Sequence, residues 1–177
     1  MTATVESFST SVLSDLLRHM QWADASVWRA VLAHEGARTD PRLRDLLTHL
    51  HLVQRLFLLV WRGDALEAEL KAFKEFGELA ELRGRAITYY PDVTRFVERL
   101  EPSSLTRGVV MPFVAEYERQ MGRSFGVPTL AETMFQVTSH STYHRGQVNA
   151  RLREVGGQPP LVDYIAWIWF GRPDAEW

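Results

Sequence analysis

His140 and His144 lie four residues apart in the block His140-Ser141-Thr142-Tyr143-His144-Arg145-Gly146-Gln147, inside a stretch with helical apolar periodicity. Four residues is about one turn of α-helix, so both imidazoles share a face and can present a nitrogen to one point in space. That geometry suits a metal ion. Val137, His140, His144, Val148, Arg151 and Val155 follow the 3-4-4-3-4 spacing of a helix stripe, apolar apart from Arg151 and the two histidines. The pair is therefore expected on the side that packs inward. A buried imidazole must satisfy both ring nitrogens, and a shared cation serves two rings at once. The other reading is a pair of core histidines hydrogen-bonded to neighbours, the commoner case for an isolated HxxxH.

Zinc-like ions usually take at least three protein ligands and leave a fourth position for water or substrate. A second helix offers two candidates in Leu47-Thr48-His49-Leu50-His51. His49 shares a stripe with Leu46, Val53, Leu56 and Val60, apolar throughout, whereas His51 falls with Arg44, Leu47, Arg55, Leu58 and Arg62, a mixed and partly solvated stripe. His49 is the expected ligand, and His51 a boundary or supporting residue. His19 and His34, on or at the end of the first helix, are expected to be partly exposed, ordinary partners of a helix terminus. Arg145 sits one step round from His144, positioned for an anionic substrate or for a carboxylate on a neighbouring helix. Gly146 suggests close helix approach, and Gln147, one turn past His144, suits a hydrogen bond to a ligand's second nitrogen. Structural support is favoured over direct catalysis for all three.

Four amphipathic segments would position these residues. The first runs from Ser11 to about His34 and is expected to stop at Gly36. Asp40-Pro41 supplies an N-cap and a first-turn proline for the second, which continues to Trp61-Arg62 and closes at Gly63. A charged connection from Asp64 to Lys74, with room for a turn of helix, leads to a third segment between Gly77 and Leu100. Pro91 is expected to kink that helix or divide it. Between Glu101 and Val127 the pattern is irregular, with Arg107 to Val114 and Ser124 to Val127 reading as a small hairpin-like excursion. Thr129-Leu130-Ala131-Glu132 matches a capping box that opens the fourth long helix, which ends at Gly156-Gly157. After Pro159-Pro160, Leu161 to Phe170 forms a short final helix or strand. The expectation is an all-α fold, an up-down four-helix bundle of one domain over residues 1–177, with a short C-terminal segment.

Composition narrows the function classes. The 177 residues suit one domain with a full core, and 46% hydrophobic with 24% charged content is that of an ordinary globular protein. A net charge of −2 with no basic stripe argues against a nucleic-acid partner. Cysteine is absent, so any metal is held by His and carboxylate, and any thiol chemistry needs an external thiol. The first twenty residues lack the basic start and apolar core of a signal peptide, and the runs Leu56 to Trp61 and Ile165 to Phe170 are far shorter than a membrane span. No membrane partner is expected, and a cytoplasmic location is the default. Trp22 and Trp28 read as core or interface aromatics, and the charge run Glu67 to Glu78 as a solvated face.

Gln21-Trp22-Ala23-Asp24 in the first helix, His49 with Phe57 eight residues later, and His140-x-x-Tyr143-His144-Arg145-Gly146-Gln147 together resemble the DinB/YfiT-like superfamily of bacterial proteins. The tail, Leu152-Arg153-x-x-Gly156 with Pro159-Pro160 and Asp163-Tyr164, is similar to it as well. The resemblance implies a four-helix bundle, often a homodimer, holding one divalent metal through three histidines that map onto His49, His140 and His144. Members include thiol S-transferases, which join a low-molecular-weight thiol to an electrophile, a thiol-dependent isomerase, and metal-dependent hydrolases without an assigned substrate.

Three neutral imidazoles leave the ion's charge uncompensated, so a bound water is acidified toward a pKa of about 7. The same open position suits a thiol, which a metal deprotonates. The expected activity is metal-dependent transfer of a small thiol to a small-molecule electrophile. The alternatives are hydrolysis by a metal-held water, or a non-catalytic, metal-stabilised stress-response binding protein. Nickel, copper and zinc compete for an all-imidazole site, with zinc or nickel the expected occupant. A di-iron carboxylate centre is excluded by the lack of ExxH pairs in the candidate helices.

Overall fold

Several helix ends among the described residues are set by the chemistry of their caps. The computed structural model describes residues 9–75 and 78–177. The expected third-helix start at Gly77, part of the Glu67 to Glu78 charge run and the beginning of the first twenty residues, read as lacking signal-peptide features, lie outside the described residues. Helix α1 spans Thr10–Ala33, opened by the Ser9 hydroxyl accepting from the Val12 amide. It ends at His34, whose backbone turns extended and whose ring Nδ1 accepts from the Ala37 amide. That caps a new short helix, α2, Glu35–Arg38. Gly36 therefore lies inside α2 and does not stop the first helix, because the break comes two residues earlier.

Helix α3, Pro41–Arg62, follows its local signals closely. The Asp40 carboxylate accepts from the Leu43 amide at 2.8 Å, Pro41 occupies the first turn, and Gly63 closes the helix in the left-handed region at φ 74°. The charged connection is more ordered than a single turn, forming α4 at Glu67–Glu75. It is not simply a solvated face either. Glu69 lies 3.7 Å from the Arg55 guanidinium and 3.5 Å from that of Arg85, and Phe73 is buried.

Helix α5, Leu79–Glu98, runs through Pro91 without division. An interior proline costs about 3 kcal/mol or more, and burial of Tyr89, Tyr90 and Val93 on the inner face offsets it while Pro91 itself stays exposed. A 3-10 turn at Pro102–Thr106 follows. In place of a hairpin stands helix α6, Val114–Met121, flanked by an isolated antiparallel bridge between Gly108 and Thr129. Val109 donates to the Pro128 carbonyl and Leu130 to that of Arg107, both at 2.8 Å, so only the neck of the excursion is paired. Among the described residues there is no strand.

Helix α7, Leu130–Glu154, opens with the expected capping box, Thr129 and Glu132 each bonding the other's backbone amide. It ends where Gly156 turns at φ 89° and where a Cβ on Gly157 would meet Leu152 Cδ1 at 2.3 Å. The last element is a helix, α8 at Tyr164–Trp169, whose Trp167 is fully buried beside Trp22 and Ala23 of α1.

The four long helices pack in a ring in which α3 and α7, α1 and α7, α3 and α5, and α1 and α5 touch. Two apolar clusters fill it. One gathers Leu13 and Leu17 of α1, Leu58 and Trp61 of α3, Tyr90 and Val97 of α5, and Leu130 and Met134 of α7. The other gathers Val27 and Val31, Leu43 and Leu47, Leu82 and Ala86, and Val148 and Leu152 from the same helices. The first half of α1 therefore lies level with the first half of α7 and the second halves of α3 and α5. So α1 and α7 are parallel, as are α3 and α5, and strict up-down alternation is broken at the second connection. There α4 carries the chain back along α3, with Phe73 reaching the second cluster. Among the described residues no helix is long and apolar enough to cross a membrane.

Candidate metal centre

The antiparallel pairing of α3 and α7 brings His49 level with the HxxxH turn. His49 Nε2 and His140 Nε2 are 3.3 Å apart, and the His144 ring centroid lies 4.5 Å from that of His49 and 4.2 Å from that of His140. One nitrogen from each ring falls within 4.8 Å of the others. Two nitrogens each about 2.0–2.1 Å from one tetrahedral ion stand about 3.3–3.4 Å apart, so the closest pair already has ligand spacing.

The three rings do not point into the core. His49 is exposed, and His140 and His144 are half-buried. Of the apolar stripe that singled out His49, Val53 and Leu56 line an open cleft, Leu46 and Val60 pack against the edges of the core, and all four are partly exposed. The truly buried stripe of α3 is the one with His51, which is 2% exposed. The expected solvation of His51 is thus corrected: Arg55 of the same stripe pairs with Asp92 and Glu69, while the imidazole lies inside, bonded to Trp28 and Gln54.

Hydrogen bonding fixes part of the protonation pattern. His144 Nδ1 is 2.7 Å from Gln147 Oε1. A ring nitrogen facing an amide oxygen must carry the proton, so Nε2 keeps its lone pair. Gln147 thus holds the second nitrogen of a candidate ligand. His140 Nδ1 is buried with no hydrogen-bond partner. Burial, then the imidazoles of His144 and His49, push the His140 pKa down to about 4, and burial with the nearby His144 lowers that of His49. At neutral pH both rings are neutral. A satisfied set of core histidines would not leave one buried ring nitrogen without a partner while the ring's other nitrogen meets only a second imidazole, and the all-imidazole donor set fits a divalent cation of the zinc or nickel type.

Behind the triad lies a buried polar network that periodicity did not anticipate. Asp24 of α1, in an otherwise apolar stretch, accepts from Arg145 Nη1 at 2.9 Å, from Gln54 Nε2 at 2.8 Å and from the Tyr90 hydroxyl. Gln54 Nε2 also donates to Ser141 Oγ at 3.0 Å, and Gln54 Oε1 meets His51 Nδ1 at 2.9 Å. His51 Nε2 accepts from the Trp28 indole at 2.8 Å, so His51 is neutral with its proton on Nδ1. Burial also lowers its pKa. Asp24, Gln54, His51, Trp28 and Tyr90 thus each find a partner within this network, as buried polar groups require. Ser141 and Arg145 each follow a candidate ligand directly, about 100° round the helix, so the network grips α7 on the buried side next to the histidine face.

Of the two openings for Arg145, the carboxylate partner is the one realised. Gly146 departs from expectation: it is exposed, and a Cβ there would meet nothing within 4 Å, so no close helix approach depends on it. His19 is buried rather than partly exposed, its Nε2 2.9 Å from the Val162 carbonyl in the C-terminal segment. His34 is the half-buried cap between α1 and α2, and Trp22 and Trp28 are core residues. The signal for the network was the lone acid Asp24 within the apolar face of α1, together with a buried-type arginine beside His144.

Beside the triad a cleft of about 800 Å³ opens, with His49 and His140 on its wall. Val53, Leu56 and Phe57 of α3 form one side, Met111, Phe113 and Tyr117 the other, and Glu132, Thr133 and Gln136 of α7 the floor. This volume is in the range of small-molecule sites.

The family model for the DinB family matches residues 7–175. No curated protein matches the chain. No solved structure matches it either.

Proposed function

The chain belongs to the DinB family, and from that membership and the convergence of three imidazoles we propose that it binds one divalent metal ion through His49, His140 and His144. We read it as a single-domain bundle of its four long helices and as a metal-dependent thiol S-transferase that joins a low-molecular-weight thiol to a small electrophile. The observation that carries the reading is the 3.3 Å approach of two imidazole nitrogens, with a third ring beside them, on the wall of an open cleft.

When bound, such a cation supplies a Lewis acid that deprotonates a coordinated thiol or water. The remaining roles fall to the chain. Gln147 holds His144 in the tautomer that offers Nε2. Low basicity at His140 and His49 keeps their lone pairs available at neutral pH. The apolar walls from α3 and the Met111 to Tyr117 segment exclude water from an approaching electrophile. With no cysteine in the chain, the attacking sulfur comes from outside. A cleft with room for a second reactant supports catalysis over a purely structural metal. The exposed Ile165, Trp169 and Phe170 offer an apolar surface for a homodimer, and a cytoplasmic setting suits a small-thiol substrate.

Metal content by mass spectrometry on tag-free protein tests the site. Near-stoichiometric zinc or nickel is expected in the wild type and less than a tenth of it in His49→Ala, His140→Ala and His144→Ala. A metal-free but folded wild type would return the histidines to a structural role. A conjugation assay across bacterial thiols with a chloro-aromatic or epoxide electrophile tests the reaction. Metal-dependent hydrolysis with no thiol-dependent rate would assign the open position to water.

A further inference from the structure

The cleft beside the triad has walls of unequal construction. The α3 side, Val53, Leu56 and Phe57, belongs to a long helix anchored in the core. The facing side is buried Met111 at its base, then Phe113 and α6, and no residue of α6 is buried. Phe113 is 44% exposed and Tyr117 50%, their ring centroids 5.9 Å apart and edge to face. Two aromatic rings one turn apart thus stand half-solvated across a gap from Leu56 and Phe57. Large apolar groups left open to water beside a candidate reactive centre are the lining of a ligand site.

Charge limits what enters. The histidines and the Tyr117 phenol aside, Glu132 is the only ionisable side chain lining the cleft among the described residues. Glu132 remains anionic, since the Thr129 amide and hydroxyl that it holds lower its pKa. With no lysine or arginine on the walls, an anionic ligand would lose its hydration and meet a carboxylate. Thr133 is already committed, its hydroxyl accepting from the Trp61 indole and donating to the Leu130 carbonyl. Of the floor's polar side chains this leaves the Glu132 carboxylate and the Gln136 amide, and neither supplies a positive charge.

Resting on the metal-site reading above, we propose that the cleft takes an uncharged, apolar molecule of aromatic-ring size. It lies between Leu56 and Phe57 on one side and Phe113 and Tyr117 on the other, with its reactive end toward His49 and His140. This names the second substrate of the site as a neutral aromatic or similarly flat electrophile. It also makes Phe113 and Tyr117 determinants of specificity, on a helix whose removal from solvent depends on the ligand.

Two fluorescent probes with the same ring system separate the possibilities: uncharged N-phenyl-1-naphthylamine and its sulfonate-bearing counterpart 8-anilino-1-naphthalenesulfonate. Each is titrated into metal-free and zinc-treated full-length protein. The uncharged probe is expected to bind saturably and at least tenfold more tightly than the anionic one. The Phe113→Ala/Tyr117→Ala variant is expected to weaken the uncharged probe at least tenfold with a melting temperature within a few degrees of wild type, because both rings are exposed and neither belongs to the core clusters. Trp169→Ala, on the exposed surface of α8, is expected to leave binding unchanged. Absence of saturable binding, equal or tighter binding of the anionic probe, or loss of binding in Trp169→Ala but not in the double variant would overturn the proposal. If the wild type holds no metal yet the uncharged probe binds as expected, the metal reading fails and the cleft assignment stands. If zinc binds stoichiometrically and the double variant retains full probe affinity, the cleft assignment alone fails.

Discussion

Replacing Asp24 by asparagine tests whether the buried network is the structural anchor of the histidine helix. The Asp24 and Arg145 side chains are 0% and 3% exposed and 2.9 Å apart, so this is a fully buried ion pair. Its carboxylate receives three donors, Arg145 and Gln54 and Tyr90. An asparagine offers one oxygen and one amino group in their place. Whichever way the amide turns, the amino group faces a donor, and the guanidinium loses its counter-charge. Removing one partner of a buried pair costs about 3–5 kcal/mol, and a chain of this size loses roughly 2–4 °C per kcal/mol, which gives about 6–20 °C in melting temperature. Replacing both partners with apolar residues, Asp24→Leu with Arg145→Met, removes the stranded charge and should recover part of that loss. Thermal and urea unfolding followed by circular dichroism on the metal-free protein supply the measurement. An Asp24→Asn variant within about 1 kcal/mol of wild type would refute the argument, as would a double variant less stable than the sum of the singles.

Acid should weaken the metal-free fold through its histidines. Burial lowers the pKa of His51 and His19, and burial with neighbouring imidazoles takes His140 down to about 4. The unfolded chain, with histidines near 6.5, then binds more protons than the folded one between about 6.5 and 4, so stability is fully present above that window and falls as pH drops through it. Melting temperatures in chelator at pH 7, 6, 5 and 4.5 should decline steadily, and a flat profile would show that these rings are not held neutral. Gln147→Leu should lower metal affinity about 10–100-fold by freeing the His144 tautomer, read by competition with a chromophoric chelator. An unchanged affinity would remove Gln147 from the site.

What the chain specifies locally was legible in its residues. The capping box at Thr129, the Asp40-Pro41 start and the Gly63 stop act within one turn of backbone, so α3 and α7 begin and end where expected. The pairing of His140 with His144 is likewise a property of one helix. His49 was identified through a stripe whose true role is different, since apolar periodicity marks a face without saying whether it meets a core or lines a cleft. His51 was misplaced for the same reason. The parallel course of α3 and α5 left no trace in periodicity, which has no direction, and α4 is what turns the chain back. Asp24 and Arg145 are separated by 121 positions, and each alone is only a charged residue on a helix. Sequence by itself determined the helices, their caps and the two-histidine turn, because those depend on neighbours along the chain. Tertiary structure decided the third histidine, the network behind it and the cleft before it, because those depend on which helix faces come together.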